Sequence, residues 1–434
     1  MPSPHARKWP LPVATACVAL GMQAPAMAGG LMLYEVGTDN VGLANAGAAA
    51  RANDPGTMAS NVAGLSYLEG TQLTLGAQLL YGRLEFSPDA DTNVPGGDGG
   101  NIIGWVPGGS LFVSRQLDEH WTVGFASYGD FGLSIDYDDD WSGRYFMQNG
   151  ALLGMTFLPS VAYRIDDHWS VAAGLRVMYA TIDTDLALDN NPAGILGSPD
   201  GELNYKDSTW GYGANLGLIY QTPEGSRIGL SYTSPVDLDF KDRFAPEGLD
   251  PGITEVLARN GILGTATEIS MQVPQTLTLS LYHPLDPVWT VLASVGWQDW
   301  SRFGEVGIQL DTGDPVDTTL DANYDDTWHV SLGAHYRVSP QLLWNMGVGY
   351  DSSPVSDSDR TLSMPIGETW RVATGVTYAL DSNREINLSY ALAWLGDMEA
   401  SQSKRLPLDD PKTVSGAFKN SLIHAISGSM TWRF

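Results

Sequence analysis

The carboxyl-terminal stretch Asn420–Phe434 reads NSLIHAISGSMTWRF and alternates between two kinds of side chain. The more apolar alternate set consists of Leu422, His424, Ile426, Gly428, Met430, Trp432 and Phe434. Because successive side chains of a β-strand point to opposite faces, this pattern predicts a strand with one apolar face. Soluble β-sandwich strands also alternate, but the closing strand of a bacterial outer-membrane barrel commonly ends on a lipid-facing aromatic residue. The stretch therefore predicts the last strand of a transmembrane β-barrel.

The same alternation recurs in about fourteen segments, the even number that bacterial barrels require. Trp169–Tyr179, Trp328–Val338 and Trp370–Leu380 are examples, with Trp or Tyr near the ends of each apolar face. That placement is typical of aromatic belts at the two membrane interfaces. The segments are centred near residues 77, 113, 124, 158, 175, 216, 231, 278, 294, 333, 346, 375, 390 and 427. Short turns alternate with long loops between them, as expected for periplasmic turns and extracellular loops.

The amino-terminus has the pattern of a secretory signal peptide. Arg7 and Lys8 precede an apolar run from Leu11 to Met22, and Ala26-Met27-Ala28 then forms a small-residue cleavage site. We therefore expect residues 1–28 to be removed. The one cysteine of the chain, Cys17, lies inside this segment, so the remaining protein has no thiol and no disulfide. This composition suits a Gram-negative cell-envelope protein that is stabilised by barrel closure.

Charge restricts the partners of the chain. Without Arg7 and Lys8 the chain has 21 basic and 50 acidic residues, a net charge of −29. Nucleic acid is not an expected partner, because phosphate binding needs a basic surface. The acidity fits long solvated loops, and divalent cations that bridge acidic loops to lipopolysaccharide are the alternative.

Residues 29–70 show no strand pattern and are rich in small apolar residues with little charge, unlike a solvated linker. A fourteen-stranded barrel has a lumen wider than its own side chains can fill. We therefore predict a barrel over residues 71–434, with residues 29–70 as a plug in its lumen.

Five local motifs stand in a recognisable order: Gly42–Ala50, Asn61–Leu65, Gly143–Tyr145, Leu158–Arg164 and Val273–Thr276. Together they resemble the FadL/TodX family of outer-membrane transporters for hydrophobic compounds. Gly42–Ala50 resembles the amino-terminal hatch of that family, and Asn61–Leu65 stands where an Asn-Pro-Ala-Gly-Leu motif is usual. Gly143–Tyr145, Leu158–Arg164 and Val273–Thr276 resemble later segments in the same order. One departure is Val62, which replaces the usual proline of the hatch turn.

The resemblance implies passive uptake of long-chain fatty acids or aromatic hydrocarbons, without a cofactor or energy coupling. It also implies an inward kink in the third strand, through which the ligand leaves sideways into the membrane. We predict that strand over about Trp121 to Tyr128, followed by Gly129-Asp130-Phe131-Gly132; an ordinary strand end is the alternative. The implied positions are Asn61, Ala63 and Gly64 in the hatch, and Gly129, Phe131 and Gly132 in the kink.

The loop from Pro246 to Thr267 contains apolar residues at helical spacing. Ile253 and Leu257 lie four residues apart and predict a short amphipathic helix, and Leu263 follows it. We assign Ile253, Leu257 and Leu263 to the place where a ligand enters, with packing over the barrel mouth as the alternative.

Two inward arginines, Arg176 and Arg371, are candidate partners for a ligand carboxylate, although pairing with internal acids is more common for inward arginines. His329 and His335 share a predicted face, but six strand residues separate them by roughly 20 Å, too far for a shared metal site.

Two other functions are alternatives to hydrophobic transport. A general diffusion porin for hydrophilic solutes would keep an open charged constriction, whereas this chain offers a small-residue plug. An outer-membrane lipase would need a serine nucleophile near a histidine, and no Gly-x-Ser-x-Gly motif is present. We therefore expect a monomeric transporter that is not an enzyme, with membrane lipid, lipopolysaccharide and a hydrophobic ligand as its partners.

Overall fold

The computed structural model describes residues 36, 38–190, 199–259, 263–264, 266–310, 316–404 and 411–434. The predicted signal peptide and residues 29–35 of the predicted plug lie outside the described residues.

Fourteen antiparallel strands form a closed barrel in this part of the chain, which confirms the predicted fold and strand number. The first strand closes the barrel by pairing with the last, from Gln72 opposite Arg433 to Arg83 opposite Leu422. Each predicted strand centre falls inside one barrel strand. The barrel strands are β1 (Thr71–Arg83), β3 (Gly104–Gln116), β4 (Trp121–Asp136), β5 (Asn149–Arg164), β6 (Trp169–Leu188), β7 (Gly201–Gln221), β8 (Arg227–Thr233), β12 (Thr276–Pro284), β13 (Trp289–Gln298), β16 (Thr327–Arg337), β17 (Leu342–Asp351), β18 (Thr369–Ala379), β19 (Arg384–Lys404) and β20 (Lys412–Arg433).

The long loops contain secondary structure of their own. A four-stranded sheet is built from the loops that follow β8 and β13, with its strands in the order Val316–Asp321, Glu305–Leu310, Thr267–Val273 and Val236–Asp242. None of the described helices is both long and apolar enough to cross a membrane. The loop elements are β2 (Phe86–Pro88), β9 (Val236–Asp242), β10 (Ala245–Glu247), β11 (Thr267–Val273), β14 (Glu305–Leu310), β15 (Val316–Asp321) and the helices Pro251–Arg259 and Trp300–Phe303.

Aromatic side chains ring the outside of the barrel at two levels. Near the short turns, Trp121, Trp169 and Trp289 are exposed, and each lies 4.6–4.7 Å, between ring centroids, from a tyrosine on the next strand. Near the long loops, the exposed ring includes Trp105, Trp210, Trp328, Trp370 and Trp394. Two such belts are the expected anchors at the two faces of a membrane.

The short turns share one hydrogen-bonding device. The carboxylate of Asp118 accepts hydrogen bonds from the backbone N–H groups of His120 and Trp121, both at 2.8 Å. Asp166 repeats the arrangement in the next short turn. These backbone donors lower the pKa of both aspartates, because they stabilise the ionised form. An aspartate three residues before the first strand residue therefore closes these hairpins.

Residues 38–68, here called the inner segment, lie inside the barrel. The segment contains three 3₁₀ helices, Val41–Leu43, Pro55–Ala59 and Val62–Tyr67, and most of its residues are buried. Wall glycines permit its close approach: a Cβ on Gly347 would lie 2.1 Å from the carbonyl oxygen of Leu43. Small inward-facing residues are therefore needed where the segment meets the wall.

Candidate functional site

Asn61, one of the residues predicted for the hatch, anchors the inner segment. Its side-chain amide donates to the carbonyl oxygen of Ala49 at 2.7 Å, and to those of Leu218 on β7 and Leu230 on β8 at 3.2 and 3.4 Å. Its Oδ1 accepts from the backbone N–H of Ala63 at 2.9 Å. One buried side chain therefore joins two turns of the inner segment to two wall strands.

The two other predicted hatch residues, Ala63 and Gly64, are buried beside Asn61. A Cβ on Gly64 would lie 2.1 Å from Oγ1 of Thr57, so glycine is needed there. Val62 begins the third 3₁₀ helix, at a position where proline is also favourable because no helical N–H bond is required. The turn therefore accommodates valine in the place of the usual proline.

Two wall serines also hold the inner segment, and sequence reasoning missed them. Oγ of Ser294 accepts from the N–H of Gly47 at 2.9 Å and donates to the carbonyl oxygen of Asn45 at 3.0 Å. Oγ of Ser280 lies 2.8 Å from Oγ of Ser294 and accepts from the N–H of Ala49 at 3.1 Å. Their signal in the sequence was weak, because small inward residues on barrel strands are common.

A buried charged group lies within the inner segment itself. Arg51 pairs with Asp39 at 2.6 Å. Asp54 caps the second 3₁₀ helix by accepting from the N–H of Gly56 at 2.6 Å. Burial, followed by the negative charges of Asp39 and Glu385, raises the pKa of Asp54 to about 7. The inner segment therefore contains a carboxyl group that titrates near neutral pH.

The third barrel strand differs from its prediction. β4 continues to Asp136 instead of ending near Tyr128, so Gly129–Gly132 lies within the strand and not in a loop. The ladder between β4 and β5 has an irregularity between Gly129 and Phe131 and then continues to Asp136. Gly132 has a φ of 143°, and a Cβ there would lie 2.4 Å from the carbonyl oxygen of Leu152. The strand is therefore bent at the residues that the sequence singled out.

The bend separates β4 from β3. The two strands pair from Gln116 opposite Thr122 only as far as Ser110 opposite Tyr128. Beyond this point β3 remains paired with β1 over Gly104–Gly109, and its described register has no partner on β4. At the long-loop end of the two strands, the backbone N–H of Asp136 donates to the carbonyl oxygen of Ile102 at 2.8 Å. We call this interruption between Gly104–Gly109 and the bent part of β4 the ladder gap.

An apolar cluster lies inside the barrel between the bend and the long loops. Phe131 is 1% exposed, and its ring lies 6.0 Å from that of Phe303. Leu257 belongs to the same cluster, and Ile253 and Leu263 pack against it. The predicted helix forms over Pro251–Arg259, with Leu257 on its buried side. The kink and the predicted ligand-access residues thus contact one continuous cluster, called the loop cluster below.

Comparison with known proteins identifies the family of the chain. Residues 18–426 match the model of a family described as outer membrane protein transport protein (OMPP1/FadL/TodX). The chain belongs to this family. Its fold, its place in the outer membrane and the family of transport proteins predicted from the sequence are thereby confirmed.

Curated relatives of this OMPP1/FadL/TodX member are distant but cover most of its length. A long-chain fatty acid transport protein of Escherichia coli O6:H1 is 24% identical over 388 residues, or 84% of this chain and 86% of the relative. Outer membrane protein P1 of Haemophilus influenzae is 26% identical over 407 residues, or 84% of this chain and 86% of the relative.

Solved structures share the fold of the chain. A Pseudomonas aeruginosa FadL homologue superposes with a TM-score of 0.82 at 19% identity, over 93% of this chain and 99% of the homologue. The Ralstonia pickettii toluene transporter TbuX superposes with a TM-score of 0.63 at 20% identity, over 92% of this chain and 99% of the transporter. At these identities the likeness establishes architecture alone.

The inward arginines of this OMPP1/FadL/TodX protein have partners within the chain. Arg371 forms an ion pair with Asp351, so the structure gives this candidate for a ligand carboxylate an internal acid. Arg176 is 1% exposed, and its Nε lies 3.5 Å from Oγ1 of Thr156. His335 forms a hydrogen bond with the side chain of Asn345, and His329 forms one with the carboxylate of Asp351. Among the described residues, no group of three His, Cys, Asp or Glu side chains is arranged to hold a metal ion.

A serine, a histidine and an aspartate lie in hydrogen-bonding sequence inside the barrel. Nε2 of His329 lies 3.1 Å from Oγ of Ser331, and its Nδ1 lies 2.9 Å from Oδ1 of Asp351. The three residues are 2–3% exposed and face the lumen, not the lipid where a membrane lipase would meet its substrate. Asp351 also forms an ion pair with Arg371. The family is one of transport proteins and not of enzymes.

Proposed function

We propose that the chain carries hydrophobic small molecules across the outer membrane by passive diffusion and releases them sideways through the ladder gap. The observation that carries this proposal is the register: β3 stays on β1 over Gly104–Gly109 while β4 bends away after Tyr128. Unpaired backbone in a bilayer costs several kcal/mol per group and is tolerated where it is buried in protein or lines a passage. A sideways passage would explain why the unpaired backbone is tolerated at this interruption.

The rim of the ladder gap suits such a passage. Pro107 lies in the unpaired part of β3 and has no N–H to leave unsatisfied. Gly108 and Gly109 follow it, so little side-chain volume stands on that edge. Trp105, 62% exposed on the lipid side, belongs to the outer aromatic ring. A ligand that leaves here would therefore enter the membrane close to its outer interface.

The substrate class follows from the relatives and from the physics of transfer. The relatives named above transport long-chain fatty acids in one case and toluene in another, and both ligands are largely hydrocarbon. Moving such a ligand from water into an apolar phase gains roughly 0.8 kcal/mol per buried CH₂ group. Release into the membrane is therefore downhill, whereas release into periplasmic water is not.

The inner segment supports a sideways route over an axial one. Asn61 and Ser294 tie it to the wall by buried hydrogen bonds, and an axial route would have to break them. The loop cluster offers an apolar start, with Ile253, Leu257 and Leu263 at its edge as the proposed ligand-access residues. Phe131 of the proposed kink and the proposed access residues thus share one apolar cluster, which supports a route from the loops toward the ladder gap.

The proposed assembly is a monomer in contact with membrane lipid and lipopolysaccharide. Barrel closure by β1 and β20 removes the sheet edge that would otherwise recruit a second chain. The acidic loops, within a chain of net charge −27 before any processing, would meet anionic lipopolysaccharide through divalent cations.

Deletion of Asp130 tests the sideways route. The ladder with β5 passes from Gly129 opposite Met155 directly to Phe131 opposite Gly154, so Asp130 is the extra residue. Its removal leaves a regular ladder with Phe131 still facing inward, and β4 can then straighten toward β3. We expect uptake of labelled toluene and oleate by a transporter-deficient strain to fall at least about tenfold, a change of 1.4 kcal/mol or more in the barrier.

The matched control is Gly129→Ala. The nearest atom to a Cβ at Gly129 is 3.8 Å away, so this change preserves the bend. Both variants are first shown to be folded in the membrane by the mobility difference between boiled and unboiled samples. Full uptake by the folded deletion variant would remove the ladder gap from the transport route.

A further inference from the structure

A small chamber lies inside the barrel beneath the ladder gap. Its volume is about 80 Å³, and it is enclosed by the inner segment, β4 and the strands β7, β8, β12, β13 and β16. None of the residues that line it in the described chain is Asp, Glu, Lys or Arg. The chamber is therefore polar, with His329 as the one basic side chain in its lining, unlike the apolar loop cluster above it.

Its polar wall is one continuous row across neighbouring strands. Asn215 on β7 is opposite Thr233 on β8, and Thr233 is opposite Thr276 on β12. Thr276 is in turn opposite Gln298 on β13. Directly opposite residues on antiparallel strands have Cβ atoms about 5 Å apart, so these groups can act together on one ligand. Four strands thus present hydrogen-bonding side chains at the same level of the lumen.

One side-chain oxygen of this row lacks a hydrogen-bond partner within the described chain. Asn215 is 6% exposed, and its Oδ1 receives no hydrogen bond. A buried amide oxygen without a donor carries a desolvation cost, which a ligand that supplies a donor would remove. Oδ1 can only accept, so its complement is an O–H or N–H group. The neighbouring Thr233 and Thr276 hydroxyls can each donate to the same ligand group.

A carboxylate does not meet these requirements. An ionised carboxylate only accepts hydrogen bonds, so it cannot satisfy Oδ1 of Asn215. His329, the one basic side chain of the lining, is paired with Asp351, and Asp351 is also paired with Arg371. Moving an anion into such a site without a compensating cation is unfavourable. The row selects a neutral group that both donates and accepts.

The size and position of the chamber set what it can hold. A buried water needs roughly 10–15 Å³ of such space, so the chamber fits a small polar group but not a long hydrocarbon chain. Tyr128 lines the chamber and is also the last residue of β4 that pairs with β3. A ligand with its polar end in the chamber therefore has the ladder gap beside its apolar part.

Resting on the transport function proposed above, we infer that the chamber binds the hydroxyl group of a neutral amphiphile, an alcohol or a phenol. The substrate class is then hydroxylated hydrocarbons in preference to ionised fatty acids. The hydroxyl donates to Asn215 and accepts from a threonine of the row, while the hydrocarbon part moves through the ladder gap.

Asn215→Leu tests this assignment, because it keeps the side-chain volume close and removes the acceptor. Uptake of p-cresol and toluene, which differ by one hydroxyl, is measured in the same transporter-deficient strain. We expect the ratio of p-cresol to toluene uptake to fall about three- to tenfold, as for the loss of one hydrogen bond between neutral groups. Asn215→Ser, which retains a hydroxyl, should recover part of the ratio.

Asn204→Leu is the matched control. Asn204 lies on the same strand, and its Oδ1 is also buried without a partner among the described residues. It lies eleven residues away, roughly 36 Å along β7, and does not line the chamber. An unchanged ratio in Asn215→Leu, or an equal change in Asn204→Leu, would overturn the inference.

A binding measurement separates this inference from the transport function. Titration calorimetry of the purified protein with p-cresol, toluene and octanoate should show binding of p-cresol that weakens three- to tenfold in Asn215→Leu. If that binding is seen while no compound enters cells, the chamber assignment stands and the transport proposal fails. If octanoate binds more tightly than p-cresol and depends on Asn215, the chamber assignment is wrong although transport can remain.

Discussion

Single buried polar side chains hold the inner segment against the wall. Asn61 makes contacts with the carbonyl oxygens of two strands, and Ser294 both accepts from and donates to the backbone of the segment. Each such bond contributes only about 0.5–1.5 kcal/mol net, but a buried group left without its partner costs about 1–3 kcal/mol. The segment is therefore held by a few hydrogen-bonding residues whose loss is expensive, in addition to apolar contacts such as those of Met58 and Leu65 with the wall.

Asp54 makes the stability of the folded protein sensitive to pH. Its pKa is raised to about 7 in the folded protein, against about 3.9 in an unfolded chain. The folded state thus binds the proton more tightly, so the stabilising contribution is complete below about pH 4 and is lost as the pH rises through 7. We expect the folded protein to lose on the order of 1–3 kcal/mol between pH 5 and pH 8 from this group.

Thermal unfolding followed at pH 5 and pH 8 checks this prediction. Asp54→Asn keeps an acceptor for the N–H of Gly56 but cannot ionise, so the variant should be the more stable protein at pH 8 and show a smaller pH dependence. Asp91→Asn, at an exposed loop position, is the control and should follow the wild type. An unchanged pH profile in Asp54→Asn would assign the dependence to other groups.

At the scale of elements, a loop helix and a bent strand meet in one apolar cluster. The helix Pro251–Arg259 buries Leu257, while Val256, the residue before it, is 54% exposed. The bend in β4 places Phe131 in the same cluster. Loop packing and strand geometry are therefore coupled through shared apolar contacts. A change in the helix should therefore alter ligand uptake along the proposed route.

Substitution of the two adjacent helix residues separates packing from surface effects. Leu257→Asp places a charge in the loop cluster, which costs several kcal/mol locally. We expect faster proteolytic cleavage of this loop and toluene uptake reduced by about fivefold or more, because the charged loop no longer packs over the access site. Val256→Asp changes the exposed neighbour and should leave both measurements near the wild-type values. Equal effects of the two substitutions would contradict the buried role of Leu257.

At the scale of the whole molecule, the closed barrel and the inner segment have different roles. The ladders between the fourteen strands satisfy most of the backbone inside the membrane, and closure pairs the first strand with the last. The inner segment contacts several of these strands and occupies the lumen between them. We therefore expect the inner segment to prevent this wide barrel from forming an open pore.

Deletion of Gly29–Gly64 checks this division. Without these residues the lumen is expected to conduct, with a steady single-channel conductance in planar bilayers at least about tenfold above that of the intact chain. Toluene uptake should lose its preference over small hydrophilic solutes in the same variant. If the intact protein already conducts freely, the inner segment does not close the lumen and the general diffusion porin becomes the better description.

Much of this protein was determined by local sequence. Alternation such as that of Leu422–Phe434 places one apolar face on lipid, and the repeated Trp and Tyr residues set the two interface levels. Strand number and barrel class follow from these patterns, because side-chain alternation is a property of neighbouring residues. The kink in β4 was implied by the family resemblance. The end of β4 did not follow, because the strand resumes after its bulge through pairing with β5.

Only the tertiary structure decided which residues meet across the lumen. The pairing of Arg371 with Asp351, the serines on Gly47 and Ala49, and the row from Asn215 to Gln298 all depend on register. Alternation has a period of two, so it is equally satisfied when a strand slides by any even number of residues. Closure of fourteen strands around the inner segment selects one register, and that register creates both the ladder gap and the chamber beneath it.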